Sequence, residues 1–380
     1  MNVFDVAVIG SGPSGGMAAY ALAKHGFSVA ILDKETLPRY KTCGGGLVER
    51  GRKLIPFDIS SAIEAEFYSV DTFFQKKNIK LTTKRETPII SMVMRDTFDF
   101  LIVEKAVEKG AKLLQNHKVI AIELGEINQI KTESGTVQAK FIIAADGALS
   151  ATAKMVGWKE TRNVIPALEY EVEVSPADFE RLSKDVRFDI DAVPGGYGWC
   201  FPKKNHLSIG VGVLRKSKDN LNLKAFYQAY LKTLGIESVI SEDAHGFVIP
   251  VSPRTDCFVK NKVFLTGDTA GFADPIVAEG LSNAILSGTL CAEALIESNL
   301  DEAKSAELYV EKLNKNLLPE LKTGVMVAKM FYESQTIRNM LLSKYGQLFA
   351  EAMTDVFTGK RTYPADYKKA LRQKFKKMIF

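Results

Sequence analysis

Gly10, Gly12 and Gly15 stand in the spacing G-x-G-x-x-G between an apolar run at 5–9 and a stretch of good helix formers at 16–23. That arrangement holds a dinucleotide by its pyrophosphate. Gly10 permits the tight turn, Gly12 lets phosphate approach the backbone, and Gly15 lets helix and strand pack closely. The phosphates meet the orphan N–H groups and the positive dipole end of the helix. A second apolar run, 27–32, ends on Asp33, placed to accept hydrogen bonds from both ribose hydroxyls. A carboxylate there repels a 2′-phosphate, so FAD or NAD is favoured over NADP. Two more glycine–acid pairs follow, Asp146-Gly147 and Gly267-Asp268. An NAD dehydrogenase needs only the first signal. The late pair, with Gly271 and then Gly280-Leu281 behind it, suits the ribityl and isoalloxazine half of FAD. Asp268 would bind ribityl hydroxyls, and a helix starting near Gly280 would aim its N–H groups at the N1/O2 edge of the ring.

Each of these signals sits at the end of an element. The opening is strand, glycine turn, helix and strand, and 141–147 and 263–268 are buried strands ending in polar turns. Ligands of open α/β sheets bind beyond the carboxyl ends of strands, so one extended ligand touches all three sites. Cys43-Gly44-Gly45-Gly46 follows the opening unit; three glycines there mean close backbone approach or a hinge. Residues 68–95 alternate weakly as strands. A helix begins at 96 with Asp96 as N-cap and stops at Gly110, and 118–123 with 129–132 form a hairpin. From about 162 to 254 strands dominate (167–174, 186–190, 196–201, 206–214), with one helix near 221–234, the pattern of an antiparallel sheet. Residues 280–297 and 301–356 are helical by period.

The 380 residues, 46% hydrophobic and 25% charged, describe an ordinary soluble globular chain with room for two domains. The absence of a basic, apolar leader and of an uncharged apolar run of about 18 residues predicts a cytoplasmic protein. The four cysteines (Cys43, Cys200, Cys257, Cys291) contain no C-x-x-C pair, and the four histidines show no metal spacing. No metal is expected, and any redox chemistry belongs to an organic cofactor. The net charge of +5 is local: residues 361–380 carry seven basic groups against one acid, leaving −1 for the rest. That distribution argues against a nucleic-acid surface on the body.

These residues resemble the flavoproteins of the p-hydroxybenzoate hydroxylase fold, and among them most of all the geranylgeranyl reductase family. The marks are Cys43 to Gly46, the Y-x-W-x-F-P-K stretch (Tyr197, Trp199, Phe201, Pro202, Lys203), and Gly267 to Gly271 leading to Gly280. The likeness spans about 3–300. The family's usual glutamate after the first unit is Asp33 here, and the carboxyl end is shorter than in longer members. The resemblance implies an α/β fold, α+β overall: a Rossmann-like FAD-binding domain, an inserted antiparallel β-sheet substrate domain and a C-terminal helical segment. The FAD-binding parts are 1–70, 95–161 and 255–300; strands at 71–94 join the substrate sheet of 162–254; 301–380 are helices with a basic tail. It further implies FAD contacts from Pro13, Ser14, Lys34, Cys43, Gly44, Gly45, Arg95, Val119, Gly271 and Leu281. Arg95 reaches the diphosphate in that reading, and in the alternative merely leads an exposed helix. Cys43 is otherwise a small buried hydrophobe, the common fate of free cysteine. Tyr197, Trp199 and Phe201 are otherwise one core face of a strand, an account that Gly195, Gly196 and Gly198 weaken because strand glycines admit a ligand or a backbone.

The family reduces isolated trisubstituted double bonds in polyprenyl chains. Such an alkene accepts hydride from N5 of reduced FAD only as the less substituted carbon is protonated. The site must hold a greasy chain, exclude water and supply one proton. Tyr197, Trp199, Phe201 and Pro202 would line the substrate, the rings favouring transient positive charge, with Tyr197 and Trp199 at the reacting carbons. Cys43 is the candidate proton donor, since an ordinary thiol is protonated at pH 7. The competing readings are an FAD monooxygenase or halogenase of the same fold and a catalytically idle flavin or lipid carrier. Halogenases carry W-x-W-x-I-P, whereas position 197 is tyrosine. The sequence leaves open the reductant, NAD(P)H or ferredoxin, and the polyprenyl lipid substrate. In the tail, Tyr367, Leu371, Phe375, Met378 and Ile379 recur at helical spacing among basic residues. That pattern fits either a peripheral contact of 361–380 with the inner face of an anionic membrane or a helix docked on the body.

Overall fold

The computed structural model describes residues 3–214 and 221–363. Its larger sheet runs Val259–Lys260, Val263–Leu265, Gly135–Ala144, Val3–Ile9, Val29–Leu32, Lys112–Leu114, with Asn128–Thr132 and Val119–Glu123 folded back along the long strand. The four pairings made by Val3–Ile9, Val29–Leu32, Gly135–Ala144 and Val263–Leu265 with their inner neighbours and Lys112–Leu114 are parallel. Strands covered on both faces read as unbroken apolar runs, and Val6, Ala7, Val8, Ile142, Ile143 and Ala144 are fully buried. Pro13–Lys24, Arg95–Glu108 and Leu281–Glu297 pack together against this sheet. All three strands carrying a glycine–acid signal therefore end on one rim.

The second sheet has seven strands in the order Val239–Pro250, Val164–Val174, Leu207–Val213, Gly196–Pro202, Val186–Ile190, Ser69–Phe74, Ile79–Lys84. It departs from the antiparallel expectation at one place, where Val186–Ile190 pairs in parallel with Ser69–Phe74. One face packs Tyr170, Val172, Cys200 and Ile209 against the helix Leu223–Thr233; the other faces the Rossmann rim. A separate three-stranded sheet of Gly46–Val48, Ile90–Val93 and Ile63–Phe67 lies between the two. Three helices, Glu302–Asn316, Leu318–Glu333 and Gln335–Phe357, follow.

The helix expected from Asp96 begins one residue earlier, with Met94 at the cap and no side-chain cap bond. The reason is Arg95, which pairs with Asp99 one turn on and so belongs to the helix rather than to its approach. The tail reading falls, from residue 364 onward, outside the described residues. Among the described residues no helix is long and apolar enough to cross a membrane.

Candidate active site

A cleft of about 750 Å³ runs from the Rossmann rim to the face of the seven-stranded sheet. At one end the helix Pro13–Lys24 starts with proline at its first turn, no acidic residue there, and no side chain capping it. Its N–H groups are left to a ligand. Asp33 is buried, and the loop itself occupies part of it: Oδ2 accepts from Ser11 N at 3.0 Å and from the Ser11 hydroxyl, and Oδ1 accepts from Glu35 N at 3.0 Å. A carboxylate has about four acceptor positions, so Asp33 clamps the glycine turn and keeps capacity for ribose. Lys34 and Val119 line the same end.

Arg95 lies over Gly12, its guanidinium 3.9 Å from where a Cβ on that glycine would stand. Its Nε and Nη2 donate to the two Asp99 oxygens at 2.7 and 2.8 Å, and Arg39 donates to the same carboxylate at 3.1 Å. Burial works against the Arg95 charge, but Asp99 and then Cys43 outweigh it and raise the pKa. The arginine is a held cation beside the pyrophosphate cradle, not an exposed helix leader.

Cys43 lines the middle of the cleft, and its Sγ accepts the Gly45 N–H at 3.4 Å. The loop presses onto the aromatic strand: a Cβ on Gly44 would stand 3.0 Å from both Trp199 Nε1 and the Phe201 ring. Lys203 holds it there, donating to Gly44 O at 2.7 Å and Val93 O at 3.1 Å from a fully buried position. Tyr40 stacks on His245 with ring centroids 4.1 Å apart, and the Lys41 ammonium sits 3.4 Å from the centre of Phe247. Burial, with Arg95 adding to it, pulls Lys41 down to about 8.

Tyr197, Trp199 and Phe201 alternate on Gly196–Pro202 and so share the cleft face, joined edge-on by Phe188 at 5.8 Å from Tyr197 and 5.2 Å from Phe201. Tyr197 donates its hydroxyl to Val277 O at 2.5 Å, tying the sheet to the segment before Gly280. Trp199 lies flat on the sheet because Gly210 behind it has no side chain; a Cβ there would be 2.1 Å from the indole. Of the two expected uses of Gly196 and Gly198, a ligand or a close backbone, Gly196 takes the second and neither takes the first. Gly198 faces the other side, where a Cβ would stand 2.8 Å from the Tyr230 ring, and Gly196 is closed by Gly212 O. Pro202 shares that opposite face, away from the cleft lining.

At the far end Asp268 is half-buried, and burial raises its carboxyl pKa, with Lys41, Arg95 and Arg162 opposing. Gly280 is its neighbour, with 3.4 Å from a Cβ there to Oδ1. Gly280 and Leu281 line the cleft at the start of Leu281–Glu297, a helix without a cap from Gly280 itself, although Glu279 accepts the Ser282 N–H at 2.8 Å. Asp146 spends its carboxylate on its own turn, accepting from Ser150 Oγ and Thr152 N, while Gly147 N donates to Thr269. Gly271 is a further correction. It caps the short helix Gly267–Ala270 against Ser252 O and lies outside the lining. Gly15 is likewise buried packing, as its spacing requires.

Arg162, Glu169, Lys41 and Lys203 were not among the expected site residues. Arg162 bridges both late turns, donating to Asp268 O and Ala148 O. The available signal for Glu169 was a glutamate repeated at 169, 171 and 173 inside an otherwise apolar strand.

Several side chains have the chemistry of an FAD site and nothing of their own to satisfy it. Ser14 Oγ and Trp199 Nε1 are buried without hydrogen-bond partners, and no protein donor among the described residues reaches the Asp268 carboxyl. Together with the uncapped helix behind Gly12, this cleft fits FAD and defines an FAD-dependent oxidoreductase. Residues 3–310 match the family of the FAD binding domain, and the chain belongs to it. It is 29% identical to the chloroplastic geranylgeranyl diphosphate reductase of Nicotiana tabacum, over 95% of this chain and 82% of that one. It is 28% identical to digeranylgeranylglycerophospholipid reductase 1 of Methanopyrus kandleri, over 87% and 91%. Two solved structures share the fold. A geranylgeranyl bacteriochlorophyll reductase-like protein of Thermoplasma acidophilum has a TM-score of 0.77 at 22% identity, over 93% of this chain and 99% of that one. A flavin-dependent brominase has 0.75 at 19%, over 99% and 100%.

Proposed function

We propose that the protein reduces isolated double bonds of a polyprenyl lipid. One observation carries this reading: a free thiol, Cys43, is held by a glycine loop against the Trp199 and Phe201 wall inside the cleft that begins at the dinucleotide turn. The relatives' names point to the same substrate class.

In this reading the turn at Gly10 and Gly12, Pro13 and Ser14 at the helix start, and Arg95 bind the pyrophosphate. Asp33, Lys34 and Val119 hold the adenosine end. Asp268 receives the ribityl hydroxyls, and the start of Leu281–Glu297 faces the ring. Bound FAD, once reduced, supplies hydride. Cys43 holds the proton for the less substituted alkene carbon. Tyr197, Trp199, Phe201 and Phe188 keep the chain in place, exclude water and favour the positive charge that develops as the proton transfers. The electron donor is NAD(P)H or a ferredoxin, and the strands of 162–254 form the substrate side.

Reduced enzyme mixed anaerobically with a geranylgeranyl lipid should reoxidise its flavin in proportion to the double bonds lost. Separate additions of NADH, NADPH and reduced ferredoxin to oxidised enzyme identify the donor. Flavin that stays reduced until oxygen enters, with a hydroxylated or halogenated product, would move the protein to the monooxygenase or halogenase class.

The basic tail supplies a peripheral membrane contact in this proposal, each basic residue near an anionic surface contributing about 1 kcal/mol. The full chain should co-sediment with anionic liposomes at low salt and release at high salt. Equal sedimentation after deletion of 361–380 would discard this contact.

A further inference from the structure

A buried acid pair sits on the cleft face of the second sheet. Glu169 and Glu171 are two residues apart on Val164–Val174, hence on one face, close enough for each to shift the titration of the other. Two neighbouring carboxylates, one of them buried, favour keeping one proton between them. Glu169 is 2% exposed and lines the cleft together with Cys43. Its Oε1 accepts from Ser208 Oγ at 3.3 Å. Glu171 points the other way, its Oε2 3.0 Å from His206 Nε2, and the His206 side chain is 17% exposed. Lys203 faces both acids and Cys43 while it anchors the glycine loop. From the neighbouring elements, Tyr40 approaches from the loop and His245 sits opposite Glu169 on the outer strand.

The two acids are unlike in charge. Burial first, and Glu171 second, push Glu169 up to about 8. For Glu171 burial is outweighed by His206 and Lys203, and its pKa is lowered. The proton therefore rests on the cleft side and the negative charge on the solvent side. A buried acid pair is costly compared with apolar residues of similar size, and aromatic side chains line the same cleft.

We propose that Glu169 and Glu171 form a proton relay that returns to Cys43, from solvent through His206, the proton it gives up in each turnover. This rests on the reductive reading above. In each cycle the S–H bond of Cys43 breaks as a C–H bond forms on the alkene, and both electrons arrive with the hydride. The Glu169 O–H then breaks to restore the thiol. A proton from solvent, carried by His206 and Glu171, restores Glu169.

Glu169→Gln keeps the size and hydrogen-bonding groups but has no transferable acid proton. Repeated turnover should slow about tenfold or more, less than the roughly 10²–10⁴-fold of a direct acid, with FAD affinity and KM unchanged. In wild type, turnover should decline as pH rises through about 8, because the relay acid is then ionised; the variant should lose that inflection. His206→Gln, at the outer end, should slow turnover in the same steps. Infrared spectra of the flavin-free protein give a reading independent of activity: a protonated carboxyl band at neutral pH, disappearing near pH 8 and absent from Glu169→Gln. An absent band overturns the relay, and so does a variant with wild-type turnover and pH profile. A wild type that shows the band yet reduces no polyprenyl lipid defeats the reductive reading, and the relay to Cys43 with it.

Discussion

Gly12→Leu should give a folded, colourless protein. A Cβ at Gly12 meets nothing nearer than the Arg95 guanidinium at 3.9 Å, so the apoprotein has room for the new side chain. Gly10 is different: its φ is +103° and a Cβ would stand 2.4 Å from Ala145 O, so substitution there strains the backbone whether or not FAD is bound. The leucine would instead occupy the space from which a pyrophosphate meets the helix start. Loss of two hydrogen bonds to that charged group, at about 1.5–3 kcal/mol each, weakens FAD binding by roughly 10²–10⁴-fold. Flavin absorbance of the purified variant and an FAD titration measure this, and the melting midpoints of the two apoproteins verify the fold. A yellow variant at full occupancy would put the pyrophosphate elsewhere.

Cys43→Ala should keep its FAD and lose the chemistry. The loop does not depend on the thiol for its position. Lys203 holds Gly44 O and Val93 O, and Tyr40 and Lys41 dock on His245 and Phe247. Removing Sγ costs only its 3.4 Å contact with the Gly45 N–H. In the proposed reductive reading the variant lacks the proton donor and keeps the binding surface, so the single-turnover rate should fall roughly 10²–10⁴-fold. Single-turnover reoxidation by a polyprenyl lipid, measured by stopped flow, tests it. Reoxidation at the wild-type rate would assign the proton to another group, with Glu169 next in line on the same cleft.

The dinucleotide end was legible because its determinants are local. Strand, turn, helix and acid lie within the first 33 residues, and Gly15 packs against Gly10 O and Val8 within the same unit. The aromatic wall was legible for a similar reason: alternation places Tyr197, Trp199 and Phe201 together whatever the strand pairs with. The same alternation does not say what covers each face. Pro202 therefore came into the expected site although Tyr230 and the helix Leu223–Thr233 cover its side. Gly271 followed the glycine–acid motif but is held outside the lining by Ser252.

From the sequence alone came an FAD-type cradle, a cysteine on a glycine loop, and a β-rich partner for the Rossmann unit. Each depends on residue type and short spacing. Only the tertiary structure decided that Arg95 is locked by Asp99 with Arg39 beside it, that Lys203 fastens the cysteine loop, and that Glu169 lies buried in the same cleft. Glu169 and Gly44 are 125 positions apart. Their meeting depends on which strand neighbours which and on which sheet face turns toward the rim. Burial then fixes the charge of these groups, because the cost of an ion depends on the surroundings that packing creates.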